Sequence, residues 1–282
     1  MVEPLGPLVG PTWLQEHLGD PELVLLDVRW SLPGGADRDA YLEAHLPQAR
    51  FVDLDQDLAA PPGQAGRHPL PSAERFTAAM RTVGVSAISR VVGYDAGSGA
   101  AARAWWLLRA AGHARVMVLD GGLAGWREAG GTLESGEVAV APGDFTAGDF
   151  QGWVSADATQ RLLERGKVVL DARSRDRYLG ETSVLDPRPG HIPGARNLPW
   201  TDAYQLGWVR SPEELAQLVA AAAGGPPPEV AYCGSGVTAC SLILALESAG
   251  IEGVQLYPGS WSEWARDPER PVELGASLSP GG

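Results

Sequence analysis

Short apolar runs alternate with longer mixed segments along the whole chain, and this alternation predicts strands between helices. The runs at residues 23–28, 91–94 and 230–232 are rich in Val, Leu and Tyr and are too short for buried helices. Residues 237–249 form a longer apolar segment that is closed by Gly250, which predicts a helix with a glycine stop. Strands that alternate with helical segments favour an α/β fold in which a parallel sheet is flanked by helices.

The same blocks of sequence occur twice and in the same order. Residues 25–29 (LLDVR) return at 169–173 (VLDAR), 45–50 (HLPQAR) at 191–196 (HIPGAR), 91–95 (VVGYD) at 229–233 (EVAYC) and 119–122 (LDGG) at 257–260 (YPGS). Such a repeat predicts two copies of one domain. We expect a first domain at residues 1–135, a connector rich in Gly, Ala, Glu and Pro at 136–152, and a second domain at 153–282.

The candidate nucleophile is Cys233, at the point where the strand at 230–232 meets the next helix. It is followed by Gly234, Ser235 and Gly236, and the glycines let the backbone turn its N–H groups inward. The start of the helix adds its positive end. Both features stabilise a thiolate, which is the reactive form of cysteine. The first copy has Asp95 at this position, so only the second loop carries a thiol.

Two kinds of enzyme use a cysteine in such a loop. Cysteine phosphatases place an Arg six residues after the Cys, and Ala239 occupies that position here. The run Cys-Gly-Ser-Gly-Val-Thr-Ala at 233–239 instead resembles the active-site loop of the rhodanese superfamily of sulfurtransferases. The resemblance covers nearly the full chain and implies two tandem rhodanese-like domains, of which only the second is catalytic. It further implies that Cys233 carries sulfur as a persulfide, without a metal or an organic cofactor.

The resemblance also implies roles for residues around Cys233. The loop residues expected to bind the persulfide or the substrate are Gly234, Gly236, Val237 and Thr238. Arg177 and Arg188 are expected to hold the substrate carboxylate, since arginine is permanently charged and binds carboxylates bidentately.

A proton relay is expected beside the nucleophile. The resemblance implies that Ser235 works with a histidine, and His45 with Asp37 behind it is the predicted partner. The loop at residues 63–71, which contains Arg67 and His68, is polar, rich in Pro and long enough to be functional.

The loop favours one sulfur donor over another. Thiosulfate sulfurtransferases usually carry cations in this loop, whereas residues 234–239 carry none. Within the superfamily the loop is therefore similar to that of enzymes that act on 3-mercaptopyruvate. Thiosulfate is the alternative donor, and a non-catalytic rhodanese-like module that binds or relays sulfur is a second alternative. The expected acceptor is a small thiol, thioredoxin or cyanide.

Charge and composition limit the other partners. The chain has 22 basic and 35 acidic residues, a formal net charge of −13, which argues against nucleic acids and anionic membranes as partners. Residues 1–19 lack a signal-peptide pattern and no apolar run approaches 18 residues, so we expect a cytoplasmic chain. The two cysteines, Cys233 and Cys240, suit one reactive and one buried thiol better than a disulfide or a metal site.

Overall fold

The computed structural model describes residues 6–32, 34–183 and 185–275. These residues form two compact units. The first unit contains the described residues up to Ala60 together with Leu70–Gln151 and Leu206–Val209. The second contains Pro61–Pro69, Gly152–Gln205 and the described residues from Arg210 onwards. Each unit therefore includes a short segment from the other half of the sequence.

The first unit is built on a parallel sheet with the strand order β1-β7-β6-β2-β5. Its strands are β1 (Leu8–Val9), β2 (Leu23–Asp27), β3 (Trp30–Ser31), β4 (Gly35–Ala36), β5 (Arg50–Phe51), β6 (Arg90–Tyr94) and β7 (Val116–Leu119), of which β3 and β4 form a separate antiparallel pair. Its helices are α1 (Pro11–His17), α2 (Arg38–Glu43), α3 (Leu54–Asp57), α4 (Ala73–Thr82), α5 (Ala101–Ala110) and α6 (Gly122–Glu128).

The second unit repeats this plan on a parallel sheet with the order β13-β12-β8-β9. The remaining strands along the chain are β8 (Val168–Asp171), β9 (Arg196–Asn197), β10 (Tyr204–Gln205), β11 (Trp208–Val209), β12 (Pro228–Tyr232) and β13 (Gln255–Leu256), of which β11 belongs to the first unit. The remaining helices are α7 (Ala156–Glu164), α8 (Arg175–Leu179), α9 (Pro212–Ala223), α10 (Thr238–Ser248) and α11 (Ser260–Trp264), with a 3₁₀ turn at Trp200–Ala203. The parallel sheets with their helices confirm the predicted α/β fold.

A buried Asp–Arg pair follows an inner strand in each unit. Asp27 at the end of β2 accepts a hydrogen bond from Arg29 Nη2 at 2.7 Å, and Asp171 at the end of β8 accepts one from Arg173 Nη2 at 2.6 Å. Both pairs are almost fully shielded from solvent. Removing one partner of a buried pair costs about 3 to 5 kcal/mol because the other charge is left uncompensated. These pairs therefore fix the strand ends from which the loops of each unit depart.

The hydrophobic cores of the two units also repeat each other. Trp126 in the first unit and Trp264 in the second are buried in their cores. Each indole N–H donates at 2.8 Å to a carbonyl a few residues further on, in Thr132 and Pro271 respectively. Within the described residues, no helix is both long enough and apolar enough to cross a membrane.

Candidate active site

Cys233 is the first residue after β12 and lies in a loop held by backbone hydrogen bonds. Its N–H donates to Ser260 Oγ at 3.1 Å, and its carbonyl accepts from the N–H of Trp261 at 3.0 Å. The N–H of Gly236 donates to Cys233 Sγ at 3.2 Å. The residue is only 1% exposed. The sulfur is therefore fixed in position and already accepts a hydrogen bond that would stabilise negative charge on it.

Glycine is required at position 236 because the turn that follows β13 packs against it. Its φ is +78°, in the left-handed region that favours glycine. A Cβ added there would lie 2.4 Å from the carbonyl oxygen of Pro258. The carbonyl of Gly234 accepts from the N–H of Ser262 at 3.0 Å, so the same turn supports both ends of the loop. The loop around Cys233 is thus shaped by backbone contacts that leave no room for a larger residue at position 236.

The start of α10 faces this loop with unused donors. Val237 precedes the helix and no side chain caps its first turn. None of the hydrogen bonds within the described part of the chain uses the N–H groups of Ser235, Val237 or Thr238. Unpaired N–H groups at a helix start attract an anion, because the helix dipole adds to their partial charges. The loop is therefore equipped to stabilise an anionic group attached to Cys233.

The guanidinium groups of Arg67 and Arg177 lie beside Gly234. A Cβ added at Gly234 would lie 2.7 Å from Arg67 Nη2 and 2.9 Å from Arg177 Nη2. The carboxylate of Asp186 joins them, with Oδ1 2.5 Å from Arg67 Nη1 and Oδ2 2.5 Å from Arg177 Nη2. Arg67 Nε is buried and has no hydrogen-bond partner among the described residues. The Arg67 side chain as a whole is 22% exposed, so an anion that enters the site can reach other parts of the guanidinium.

Arg188, predicted to bind the substrate with Arg177, is engaged elsewhere. Its guanidinium donates to the carbonyls of Trp264, Ala265, Asp267 and Arg270, at distances of 2.7 to 3.2 Å. These carbonyls follow or end α11, where unpaired carbonyls need donors and the helix dipole favours a cation. These contacts do not favour the predicted role of Arg188 in substrate binding, because its donors are used to close a helix end.

The histidine beside Ser235 is His68, not His45. His68 Nδ1 lies 2.8 Å from Ser235 Oγ, and both side chains are largely buried. His45 belongs to the first unit, where Nδ1 lies 2.8 Å from the carbonyl of Leu46 and Nε2 lies 3.1 Å from that of Gly136. The contacts therefore favour His68 over the predicted His45 as the partner of Ser235. Asp37, placed behind it, is the N-cap of α2 and accepts from the N–H of Ala40 at 3.2 Å.

Arg67 and His68 were not assigned a role from the sequence, although a signal was present. Both lie in the polar loop at 63–71, whose length and composition indicated function without indicating which unit it joins. The contact of this loop with the second unit depends on Gly66. Its φ is +106°, and an added Cβ would lie 2.8 Å from the carbonyl oxygen of Gly259, so only glycine fits at this position. The N–H of Arg67 then donates to Ser262 Oγ at 3.0 Å. Among the described residues, no three His, Cys, Asp or Glu side chains are grouped so that they could hold a metal ion.

Cys240 and His191 make contacts that support the fold. His191 is the counterpart of His45 in the repeated sequence. Cys240 is fully buried in α10 and its thiol donates to the carbonyl of Gly236 at 3.3 Å. His191 is also fully buried, stacks on Tyr178 and has Nδ1 2.7 Å from the carbonyl of that residue. Burial lowers the pKa of His191 below its usual value, so a neutral ring is favoured. Both residues therefore support the fold around the site.

Comparison with known proteins identifies the class to which this arrangement belongs. Residues 10–129 and 155–267 each match the rhodanese-like domain. The chain is 45% identical over 273 residues to a probable 3-mercaptopyruvate sulfurtransferase of Pseudomonas aeruginosa, covering 93% of this chain and 96% of the relative. It is 40% identical over 269 residues to a putative thiosulfate sulfurtransferase of Mycobacterium tuberculosis, covering 92% and 93%.

A solved structure agrees with these matches. The crystal structure of SseA from Escherichia coli, described as a 3-mercaptopyruvate sulfurtransferase with the rhodanese fold, matches with a TM-score of 0.80 and 36% identity over 92% of this chain and 100% of that one. The chain therefore belongs to the rhodanese family and has two rhodanese-like domains. It is a sulfurtransferase, the enzyme class that these relatives share. The predicted family, tandem organisation and enzyme class are confirmed.

Proposed function

We propose that this sulfurtransferase takes sulfur from 3-mercaptopyruvate, holds it as a persulfide on Cys233 and passes it to a thiophilic acceptor. The observation that carries the proposal is the position of Arg67 and Arg177 beside Gly234, with no cation inside residues 234–239. Mercaptopyruvate carries its carboxylate several bonds away from its sulfur. Arginines supplied from outside the loop suit that separation, whereas thiosulfate gains most from a cation next to the sulfur.

Substrate binding is the first step. The carboxylate accepts hydrogen bonds from the Arg177 and Arg67 guanidiniums, whose Nη2 atoms lie beside Gly234. Charged hydrogen bonds of this kind contribute about 1.5 to 3 kcal/mol each. The donor is then held with its sulfur near Cys233 Sγ, which converts the reaction into a unimolecular attack from a fixed distance.

The chemical step forms one sulfur–sulfur bond and breaks one carbon–sulfur bond. The Cys233 thiolate attacks the sulfur of the donor, and the electron pair of the carbon–sulfur bond moves onto the departing pyruvate as its enolate. The enolate takes up a proton and leaves as pyruvate. Ser235, hydrogen-bonded to His68 at 2.8 Å, is the proposed route for this proton. Either ring tautomer of His68 allows exchange, because a hydroxyl both donates and accepts.

The persulfide is then stabilised by the loop and removed by the acceptor. The N–H groups of Ser235, Gly236, Val237 and Thr238 surround the start of α10 and supply a preorganised site for negative charge on sulfur. The acceptor's nucleophile attacks the outer sulfur, and Cys233 leaves as the thiolate. We propose a small thiol, thioredoxin or cyanide as the acceptor.

Thiosulfate is the second candidate donor, since one relative at 40% identity is named a putative thiosulfate sulfurtransferase. The two donors are separated by measuring kcat/KM for each with one acceptor at one pH. We expect 3-mercaptopyruvate to be preferred at least about tenfold, equal to about 1.4 kcal/mol of differential transition-state binding. A preference for thiosulfate would overturn the donor assignment.

The arginine arrangement has its own test. Arg177→Leu should lower kcat/KM for 3-mercaptopyruvate about 10- to 150-fold by removing a charged hydrogen bond. Arg188→Leu is the matched control, since it removes a guanidinium that donates only to carbonyls in the described part of the chain. It should lower the melting temperature with a much smaller effect on KM. The opposite pattern, with Arg188 controlling KM and Arg177 controlling stability, would contradict the proposal.

A further inference from the structure

The two arginines of the site share a carboxylate that is part of the protein. Asp186 reaches Arg67 with one oxygen and Arg177 with the other, both at 2.5 Å. Its side chain is only 1% exposed, whereas each of the two arginine side chains is 22% exposed. The carboxylate therefore lies beneath the guanidiniums, and the guanidiniums retain faces that a ligand can reach.

Asp186 is ionised at neutral pH. Burial raises the pKa of this carboxyl, but the charge of Arg177 and the hydrogen bonds from Arg67 and Arg177 outweigh burial and hold the pKa below its usual value. The neighbouring Arg173 does not alter the balance, because Asp171 already neutralises it at 2.6 Å and its distance from Asp186 is 3.9 Å. The group of Arg67, Arg177 and Asp186 thus carries two positive charges and one negative charge.

We propose that Asp186 determines donor specificity by reducing the charge of the arginine pair to +1, which matches a donor with a single negative charge, and by fixing both guanidiniums beside Gly234. This inference rests on the proposed function and names a residue that acts through the two arginines. It makes Asp186 a positioning residue, since its oxygens contact the arginines and not the reacting sulfur.

Charge matching distinguishes the two candidate donors. The 3-mercaptopyruvate carboxylate brings one negative charge, and its binding neutralises the group completely. Thiosulfate brings two negative charges in a compact ion, and its binding leaves one uncompensated in a partly buried site, which is costly. Without the Asp186 charge the pair would carry +2 and would suit the dianion better.

The test compares Asp186→Asn with Asp176→Asn. Asp176 lies next to Arg177 in α8 and accepts a hydrogen bond from Thr182 Oγ1, so its replacement removes the same charge without touching the arginine pair. The quantity measured is the ratio of kcat/KM for 3-mercaptopyruvate to that for thiosulfate. Asp186→Asn should lower this ratio about tenfold or more, equal to about 1.4 kcal/mol. Asp176→Asn should change it by less than about twofold, because its carboxylate pairs with Thr182 and not with the two arginines.

Two outcomes would overturn the inference. An unchanged ratio in Asp186→Asn, with both donors slowed equally, would show that Asp186 only supports the fold. An equal change of the ratio in Asp176→Asn would show a general effect of net charge. The proposed function and the role of Asp186 are tested by different quantities. The ratio in the unmodified enzyme shows which donor is preferred, and the change of the ratio in Asp186→Asn shows whether Asp186 determines that preference.

A measurement on the unmodified enzyme keeps the test independent of how the variants fold. Pyruvate and sulfate carry one and two negative charges, and neither donates sulfur to the enzyme. Pyruvate should inhibit competitively at a concentration at least about tenfold lower than sulfate, because only pyruvate matches a net charge of +1. Stronger inhibition by sulfate would contradict the charge match.

Discussion

The loop after β6 and the loop after β12 occupy the same place in two copies of one fold, but they treat negative charge differently. In the first unit Asp95 fills its own loop, with its carboxylate accepting from the N–H groups of Gly97 at 2.7 Å, Ser98 at 3.2 Å and Ala101 at 2.9 Å. In the second unit Cys233 Sγ accepts from the N–H of Gly236, and within the described ranges no hydrogen bond uses the N–H groups of Ser235, Val237 or Thr238. One loop has its N–H donors filled by its own carboxyl group, and the other has donors ready for a transient anion.

The comparison shows that the fold alone does not make the enzyme. Both units keep the buried Asp–Arg pair after an inner strand and the buried Trp in the core. They differ in the loop itself, which reads Asp-Ala-Gly-Ser-Gly-Ala-Ala at residues 95–101 and Cys-Gly-Ser-Gly-Val-Thr-Ala at residues 233–239. We therefore propose that the second copy carries the function, because the first copy keeps the fold but has Asp95 in place of the thiol.

The largest expected effect comes from removing the sulfur. Cys233→Ser should lower activity by about three orders of magnitude or more, since the nucleophile is lost. Cys240→Ser is the control, since Cys240 is fully buried and its thiol donates to the Gly236 carbonyl, a bond that a hydroxyl can replace. It should keep most of the activity. Comparable losses in both variants would contradict a single sulfur carrier.

The second effect tests the backbone of the two loops. Gly236→Ala should lower activity about 100-fold or more and also destabilise the fold, because the added Cβ would overlap the Pro258 carbonyl at 2.4 Å. Gly97 in the other loop also has a positive φ, of +92°, but a Cβ added there would have no described atom within 4 Å. The matched variant is therefore Gly97→Ala. It should cost about 1 to 2 kcal/mol of stability and little activity. Steady-state kinetics and thermal melts of both variants check the difference.

The third effect separates the two histidines. His68→Ala should lower kcat about 100-fold with a small change in melting temperature, as expected for a group that takes part in proton transfer. His45→Ala should keep kcat and lower the free energy of unfolding by about 2 kcal/mol, because the ring contacts with the carbonyls of Leu46 and Gly136 and the stacking contact with Tyr41 are lost. A loss of kcat in His45→Ala but not in His68→Ala would show that His45 is the histidine that takes part in proton transfer.

The smallest effect distinguishes two buried carboxyls by the sign of their pH dependence. Burial raises the pKa of Asp95, with the backbone hydrogen bonds offsetting only part of the effect, whereas the pKa of Asp186 is lowered by its arginines despite burial. Relative to Asp95→Asn, the wild type should therefore lose stability as pH rises from about 4 through the raised pKa. Relative to Asp186→Asn, it should lose stability as pH falls from about 4 through the lowered pKa. Melting temperatures of the three proteins from acid to neutral pH check both slopes, and slopes of the same sign would contradict this account.

The sequence was sufficient for the fold and for the loop, because both depend on local patterns. The repeated blocks predicted the duplication, and the Cys–Gly–Ser–Gly run predicted a turn with inward N–H groups. The sequence was not sufficient for Arg67 and His68, since a loop from the first half joins the second unit only through long-range contacts such as that of Gly66 with the turn at Gly259. The contacts of Arg188 and His45 with backbone carbonyls were also beyond the sequence, because residue type and block alignment do not show which carbonyls a side chain will meet.

The most direct test of the central claim is the mass of the Cys233 peptide after the enzyme reacts with one equivalent of 3-mercaptopyruvate and no acceptor. We expect one extra sulfur atom on the peptide with Cys233 and one pyruvate released per sulfur gained. The extra sulfur should be lost when a thiol is added. Digestion between the two cysteines, or the same measurement in Cys240→Ser, assigns the site. An extra sulfur found on Cys240 alone, or pyruvate released without any sulfur on Cys233, would contradict the account.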